Sequence, residues 1–168
     1  MRILLFLPIL LILGCTTGRN VKLDPKWAPL SSVEEGKDKL FTEGMITTIG
    51  HHCYVTSMKD WLAAYPEGSV EREALLRHEQ VHAKRELAAG LPIWLTQYIT
   101  DKNFRWYEEQ LGFEQEIRYL VKNGRLFNIA NFAAGVSREY ESLGGQMCNH
   151  QEAVDWATQL LNKIAQGE

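Results

Sequence analysis

The sequence has no excess of positive charge. Its 168 residues carry 18 Lys and Arg against 21 Asp and Glu, which gives a formal charge of −3 and a pI near 6.0. A protein that binds nucleic acid or adsorbs to anionic lipid headgroups generally carries a basic patch or run, and here neither sign of charge forms a long run. We therefore expect no nucleic-acid partner and no charged interaction tail.

Long apolar runs are also missing, with one exception at the N-terminus. Residues 3–13 are apolar, follow Arg2 and precede Gly14-Cys15. A transmembrane helix needs about 20 apolar residues, so this run is too short to remain as a span. A positive residue, a short apolar stretch and a small residue are the order found in a cleaved signal peptide. We expect residues 1–14 to be removed and to take no part in the fold.

The end of this segment, Ile12-Leu13-Gly14-Cys15, resembles the bacterial lipoprotein signal. The resemblance implies that the thiol of Cys15 is lipidated, with palmitate among the acyl chains, and that Cys15 becomes the first residue of the mature protein. The next residue helps to sort such proteins between the two membranes. Thr16 implies the outer membrane of the cell envelope, facing the periplasm. The alternative is an ordinary secretory signal in which Cys15 has no function.

Cysteine is scarce, with three residues in the chain. If Cys15 carries lipid, Cys53 and Cys148 form an even pair in an exported and oxidising compartment. A disulfide between them is one interpretation, and two buried free thiols is the other. The sequence leaves both open, because a bridge requires Cα atoms within about 7 Å of each other.

The mature chain divides into a predicted tether and one domain. Residues 15–38 contain proline, glycine and serine with little periodicity, which is typical of a tether that follows a lipidated N-terminus. Within it, Trp27 and Leu30 are candidates to dock on the domain because they are costly to leave in water. Residues 39–168 form the predicted domain, and the composition of 45% hydrophobic and 23% charged residues suits one folded core.

Local patterns predict that this domain is mostly helical with a small β part. β-branched residues around Gly50, in residues 45–56, predict a hairpin or two short strands. Ser69 as an N-cap and Gly90 as a stop signal frame a helix over residues 70–89. Further helices are predicted over residues 92–100, 104–111, 113–122 and from about Asn149 onward. The predicted fold class is α+β, a mostly helical single domain with a short N-terminal strand pair.

The predicted helix over residues 70–89 carries His78-Glu79-Gln80-Val81-His82, the HExxH pattern. Residues four apart share one face of a helix, so both imidazoles can reach one metal ion. Glu79 is rotated by about 100° from His78, which places a carboxylate beside the ion as a general base and acid. Catalytic zinc sites take three protein ligands and leave the fourth position to water. The predicted cofactor is one Zn²⁺ per chain.

The alternative is a solvated helix on which two histidines meet by chance. Apolar residues occur on more than one side of this helix, which indicates burial. Buried imidazoles and carboxylates without partners cost a few kcal/mol each, and a metal ion would satisfy all three polar side chains of the motif together. A third ligand should come from a downstream helix, where the acidic candidates are Glu108, Glu109, Glu114 and Glu116.

The chain from His78 to about Gly124 resembles the gluzincin metallopeptidases. Beyond HExxH, the resemblance is carried by Gly90-Leu91-Pro92 and by Gly112-Phe113-Glu114-Gln115-Glu116-Ile117. Gly112 stands where the family commonly has a proline. The resemblance implies a zincin-like fold in which the strand pair packs beside the HExxH helix. It also implies a zinc ion held by His78, His82 and Glu114, with Glu116 in reserve.

The same resemblance implies that an extended peptide substrate pairs with an edge strand, for which residues 45–49 are the candidate. An edge strand that binds nothing is the alternative. His51 and His52 are adjacent on extended chain and would point to opposite faces, so they cannot both serve one ion. A donor is also needed for the developing oxyanion. The open candidates are Tyr98, Tyr119, Arg118 and His150.

The predicted function is a zinc-dependent metallopeptidase anchored to the bacterial cell envelope. A zinc-bound water, activated by Glu79, would hydrolyse bonds in a peptide or protein substrate, and the lipid on Cys15 would hold the enzyme at the membrane. Two alternatives stay open. One is a non-catalytic, metal-stabilised envelope lipoprotein that acts as a binding module, and the other is a zinc hydrolase that acts on cell-wall amide bonds.

Overall fold

The computed structural model describes residues 20–36, 46–139 and 145–168. The predicted signal peptide, residues 1–14, and Cys15 lie outside them. The described part is mostly helical with one four-stranded sheet, which confirms the α+β prediction. Its strands are β1 (Asn20–Lys22), β2 (Ser32–Glu35), β3 (Ile46–Ile49) and β4 (His52–Val55). Its helices are α1 (Met58–Ala64), α2 (Val70–Ala89), α3 (Leu91–Thr100), α4 (Lys102–Lys122), α5 (Ile129–Glu139) and α6 (His150–Gln166).

The strands follow the order β1-β2-β4-β3 across the sheet. β3 and β4 form the predicted hairpin, antiparallel, with Thr48 opposite Cys53. Gly50 lies in the turn with φ of +64°, a left-handed conformation that favours glycine. β3 is an edge strand of the sheet and lies against α2. Met45, the first residue of the predicted edge segment, is outside the described residues.

Residues 20–36 belong to the domain, so the prediction of a tether over residues 15–38 is wrong for this part. They supply β1 and β2, and β2 pairs with β4 in parallel. Trp27, Leu30 and Val33 are buried in the same hydrophobic cluster as Cys53. Burial of each large apolar side chain stabilises the fold by roughly 1.5 to 3 kcal/mol. This stabilisation is enough to dock the segment on the domain although it also contains proline, glycine and serine. The domain therefore includes residues from Asn20 onward rather than from residue 39.

The structure confirms several helix ends that were predicted from capping residues and glycine stop signals. α2 has the predicted bounds, with the Ser69 hydroxyl accepting from the Arg72 N–H at 3.2 Å. Gly90 ends it with φ of +83°, and α3 begins at the next residue. α6 begins after Asn149, whose side chain and that of Glu152 form a reciprocal capping box. No helix in the described residues is both long and apolar enough to cross a membrane.

Gly112 does not separate two helices as predicted, because α4 continues through it. A Cβ at this position would lie 2.6 Å from Cδ2 of His78. The glycine therefore allows α4 to approach the HExxH helix so closely that the imidazole of His78 lies against its backbone. Glycine lowers the stability of a helix by about 1 kcal/mol relative to alanine. At this position an alanine would collide with the His78 ring.

Cys53 and Cys148 are both free thiols in the structure, so the disulfide considered from the sequence is not formed. Cys53 lies in the cluster beneath the sheet, whereas Cys148 packs with Ala133 and Met147 between α5 and α6. Their separate clusters explain the absence of a bridge. Burial raises the pKa of the Cys53 thiol well above its usual range and that of Cys148 to about 11, so both stay protonated at neutral pH.

Gly112→Ala should destabilise the protein although alanine is the better helix former. The added methyl group must displace the His78 ring, which is held on other sides, and overpacking of this kind costs about 1 to 3 kcal/mol. Urea unfolding measures the loss. Gln115→Ala, on the exposed side of the same helix, is the control and should stay within about 0.5 kcal/mol. A Gly112→Ala protein that gained stability would contradict the close approach.

Candidate metal centre

His78 and His82 project from α2 towards α4 with their rings side by side. Both residues are buried, and their Nε2 atoms lie 2.9 Å apart. The ring centroids are separated by 4.8 Å, with the rings edge to face. Two ligands at 2.0 to 2.1 Å in a tetrahedral zinc site lie about 3.3 Å apart. The imidazole pair is therefore already close to the spacing that one ion requires.

Glu109, on α4, completes a group of three donors. Its Oε2 lies 3.3 Å from Nε2 of His78, and its Oε1 lies 3.4 Å from Nε2 of His82. One ligand atom from each residue lies within 4.8 Å of the other two, and all three residues are buried. Two imidazole nitrogens and a carboxylate oxygen match the donor types of catalytic zinc sites. This His78-His82-Glu109 group, called the donor group below, could hold a metal ion.

Glu109 is fixed from the side by α3. The Tyr98 hydroxyl donates a hydrogen bond to Oε1 of Glu109, and the Tyr98 ring stacks on Trp94 with centroids 4.6 Å apart. Trp94 is buried and also approaches the His82 ring at 6.0 Å between centroids. Among the sequence candidates for an oxyanion donor, Tyr98 is the one that the structure brings to the donor group.

Glu116 lies behind His78. Its Oε2 is 3.1 Å from Nδ1 of His78, and the Phe113 ring packs edge-on against the same imidazole with centroids 4.5 Å apart. A carboxylate that accepts from Nδ1–H leaves Nε2 available as a ligand and fixes the orientation of the ring. The structure therefore places Glu116, the reserve ligand, as an orienting partner of a ligand histidine.

Glu114, the ligand implied by the family resemblance, lies away from the histidines. Its Oε1 accepts from Nε of Arg118 at 2.9 Å and lies 2.8 Å from Nη2 of the same residue. The reason is the continuous α4. Residues three, four and seven apart share a helix face, so Glu109 lies on the face of Gly112 and Glu116, and Glu114 lies beside that face. Glu109 was one of the four acidic candidates for the third ligand. A prediction that one helix continues through Gly112 would have favoured Glu109 over Glu114.

Glu79 faces the sheet rather than α4. It is buried, and its Oε2 accepts a hydrogen bond of 2.6 Å from the Thr48 hydroxyl on β3. Burial raises the pKa of this carboxyl to about 7, and the positive charge of His78 and the bond from Thr48 lower it only in part. A carboxyl with a pKa near 7 is suited to accept and return a proton at neutral pH.

The donor group combines one carboxyl of lowered pKa with two imidazoles whose pKa values are shifted in opposite directions. Burial raises the pKa of Glu109, but the two histidines and Tyr98 outweigh burial and hold it at about 2. Burial lowers the pKa of His82 to about 4. Burial also lowers the pKa of His78, yet hydrogen bonds to Glu109 and Glu116 raise it well above its usual value. Glu109 and His82 are therefore in the forms that bind metals, an ionised carboxylate and a neutral imidazole, whereas His78 would release a proton when an ion binds.

The remaining sequence candidates lie elsewhere. Nδ1 of His51 lies 2.9 Å from the Pro29 carbonyl oxygen. Nδ1 of His52 lies 2.8 Å from the Ser32 hydroxyl oxygen. Tyr119 lies under the guanidinium of Arg77, with 4.2 Å from Cζ to the ring centroid. Arg118 is paired with Glu114, and His150 is exposed at the start of α6.

Comparison of this chain with protein-family models, with curated proteins and with solved structures gives no match. The resemblance to gluzincins rests on the sequence motifs and stays a prediction.

Glu109→Gln should weaken the binding of added zinc at the donor group, and Glu114→Gln should not. The first change replaces a charged donor-group oxygen by an amide, and the second breaks a half-exposed ion pair. Substitution of partners behind the ligands commonly costs 10- to 100-fold in metal affinity, so loss of a ligand should exceed about 100-fold. Zinc content by elemental mass spectrometry and competition with a chelator measure both variants. Zinc lost from Glu114→Gln and kept by Glu109→Gln would reverse the assignment.

Glu86 is a second buried carboxyl on the sheet side of α2, one turn beyond His82. It is fully buried, and Oε2 accepts from the Gly50 N–H in the hairpin turn. Burial raises its pKa to about 8, although the bond from Gly50 lowers it in part. The folded protein therefore holds a proton at this position that the unfolded chain releases near pH 4.5.

Stability should consequently fall as pH rises. A group whose pKa is raised by folding stabilises fully below its unfolded pKa, and this contribution is lost as pH rises through the folded value. Between pH 5 and pH 8 the loss attributable to Glu86 is about 3 kcal/mol. Urea unfolding across this range should show a shallower decline for Glu86→Gln than for wild type. Glu67→Gln, at an exposed position, should follow wild type, and parallel curves for Glu86→Gln would contradict the buried proton.

Proposed function

We propose that this protein is a zinc-dependent metallopeptidase anchored to the bacterial cell envelope. The observation that carries the proposal is the buried donor group with the Glu79 carboxylate on the adjacent face of the same helix. Perturbed carboxyl groups beside a set of metal donors are typical of hydrolytic sites. The anchor rests on the lipoprotein-like signal that ends at Cys15.

Zinc is the favoured ion because of the donor types. Two imidazoles and one carboxylate suit zinc, whereas magnesium and calcium prefer oxygen donors throughout. His78, His82 and Glu109 would hold the ion. When bound at such a site, zinc supplies a Lewis acid and lowers the pKa of a coordinated water towards 7.

Glu79 is the proposed base and acid. With a pKa of about 7, its carboxylate can take a proton from the attacking water and return it to the departing amine of the substrate. Because it is buried, it exchanges protons with the reacting groups rather than freely with solvent. Tyr98 is the candidate oxyanion donor; its hydroxyl donates to Glu109 and would turn its one hydrogen to the substrate carbonyl in that role.

An extended peptide is the proposed substrate. β3 is an edge strand in the sheet, and it borders the helix that carries Glu79. An edge strand offers unpaired backbone groups to a further strand, which gives affinity without demanding one particular sequence.

Glu79→Gln should abolish hydrolysis while zinc and fold persist. The amide keeps the size of the side chain but cannot take up the proton, and loss of general-base catalysis commonly lowers kcat by about 100- to 10,000-fold. Hydrolysis of an unfolded protein, zinc content and thermal unfolding are measured in parallel. Glu71→Gln, the same change at a half-exposed position of α2, is the control and should remain active.

Other outcomes separate the competing functions. A zinc-loaded wild type that degrades purified cell wall but no unfolded protein would indicate a hydrolase of cell-wall amides. A zinc-loaded wild type that cleaves neither would favour a metal-stabilised binding module. Full activity in Glu79→Gln would contradict the assigned base.

A further inference from the structure

Thr48, on the edge strand β3, contacts the glutamate of the HExxH motif. It is on the buried face of β3, opposite Cys53, with 8% of its surface exposed. Its hydroxyl contacts two groups: Oε2 of Glu79 at 2.6 Å and Sγ of Cys53 at 3.4 Å. The edge of the sheet is thus joined directly to the carboxylate of the HExxH motif.

The direction of these bonds follows from the chemistry of the groups. An ionised carboxylate only accepts, so the Thr48 hydroxyl donates its hydrogen to Glu79. The Thr48 oxygen is then free to accept, and the Cys53 thiol is the donor, because burial keeps it protonated. The thiol therefore orients the hydroxyl, and the hydroxyl holds one oxygen of the carboxylate.

Resting on the function proposed above, we propose that Thr48 is a positioning residue for Glu79. The hydroxyl holds Oε2 on the sheet side, which leaves Oε1 as the oxygen that exchanges the proton with water. Without the bond, the carboxylate can rotate about its last torsion and point either oxygen at the donor group. A hydrogen bond to a charged group is strong enough to select one orientation.

The neighbouring contact from Glu86 makes the arrangement rigid. Glu86 lies seven residues after Glu79, on the same side of α2, and accepts from the Gly50 N–H at the hairpin turn. Two carboxyl groups on one face of α2 therefore contact the same hairpin at two points. A peptide that pairs with β3 would consequently lie at a fixed distance from the base.

The test compares Thr48→Val, Thr48→Ser and Thr158→Val. Valine keeps the shape of threonine and removes the hydroxyl, and serine restores it. Thr158 is exposed on α6, outside the donor group and the sheet, so the same change at that position is a matched control. In zinc-loaded protein, Thr48→Val should lower kcat about tenfold or more, with zinc content and KM unchanged. Thr48→Ser should recover most of kcat, and Thr158→Val should match wild type.

A second readout needs neither metal nor activity. In the metal-free protein, urea midpoints are measured for Thr48→Val, Glu79→Ala and the double variant. If the hydroxyl holds the carboxylate, the double variant loses less than the sum of the single losses. Additive losses would show that the two side chains are not coupled and would overturn the proposal.

The remaining outcomes are equally decisive. Coupled midpoints together with an undiminished kcat in Thr48→Val would reduce the bond to a structural tie and overturn the positioning role. If wild-type protein hydrolyses no substrate, the proposed function fails. The urea cycle then decides on its own whether Thr48 holds Glu79.

Discussion

The close approach of α2 and α4 is the contact on which the rest of the structure depends. It is set by Gly112, whose missing side chain leaves room for the imidazole of His78. The approach brings the Glu109 carboxylate between the two histidines and places Glu116 behind one of them. An uncompensated buried charge costs several kcal/mol. These polar groups therefore tolerate burial because each carboxylate meets an imidazole or a hydroxyl.

The other side of α2 carries a different set of contacts. Glu79 and Glu86 turn towards the sheet and accept from Thr48 and from the backbone of the hairpin turn. Successive residues of a helix are rotated by about 100°, so the two histidines of the motif face one neighbour, whereas Glu79 and, seven residues later, Glu86 face another. α2 is consequently fixed on two sides, by a helix through the donor group and by a strand through the carboxylates. The sheet thereby contributes to the site although it supplies none of the three donors.

Much of this arrangement follows from local signals. The Ser69 cap, the Gly90 stop and the β-branched hairpin are encoded within a few residues, and each was predictable from the sequence alone. The position of Glu109 and the continuity of α4 depend on the contact between α4 and α2, which are distant in sequence. This contact was not predictable once Gly112 was interpreted as the end of a helix. The docking of residues 20–36 likewise depends on a parallel pairing of β2 with β4, and no short-range pattern encodes such a pairing.

The donor group is held in place by the protein itself. The Glu116 carboxylate orients His78, the Tyr98 hydroxyl orients Glu109, and the stacked ring of Trp94 supports the Tyr98 ring. A site whose ligands are already oriented loses little conformational freedom when it binds an ion. Rotation of α2 by a single residue would turn the histidines towards the sheet and the glutamates away from it. The two-sided packing of this helix is therefore what converts a five-residue pattern into one defined arrangement of three donors and a buried carboxyl group.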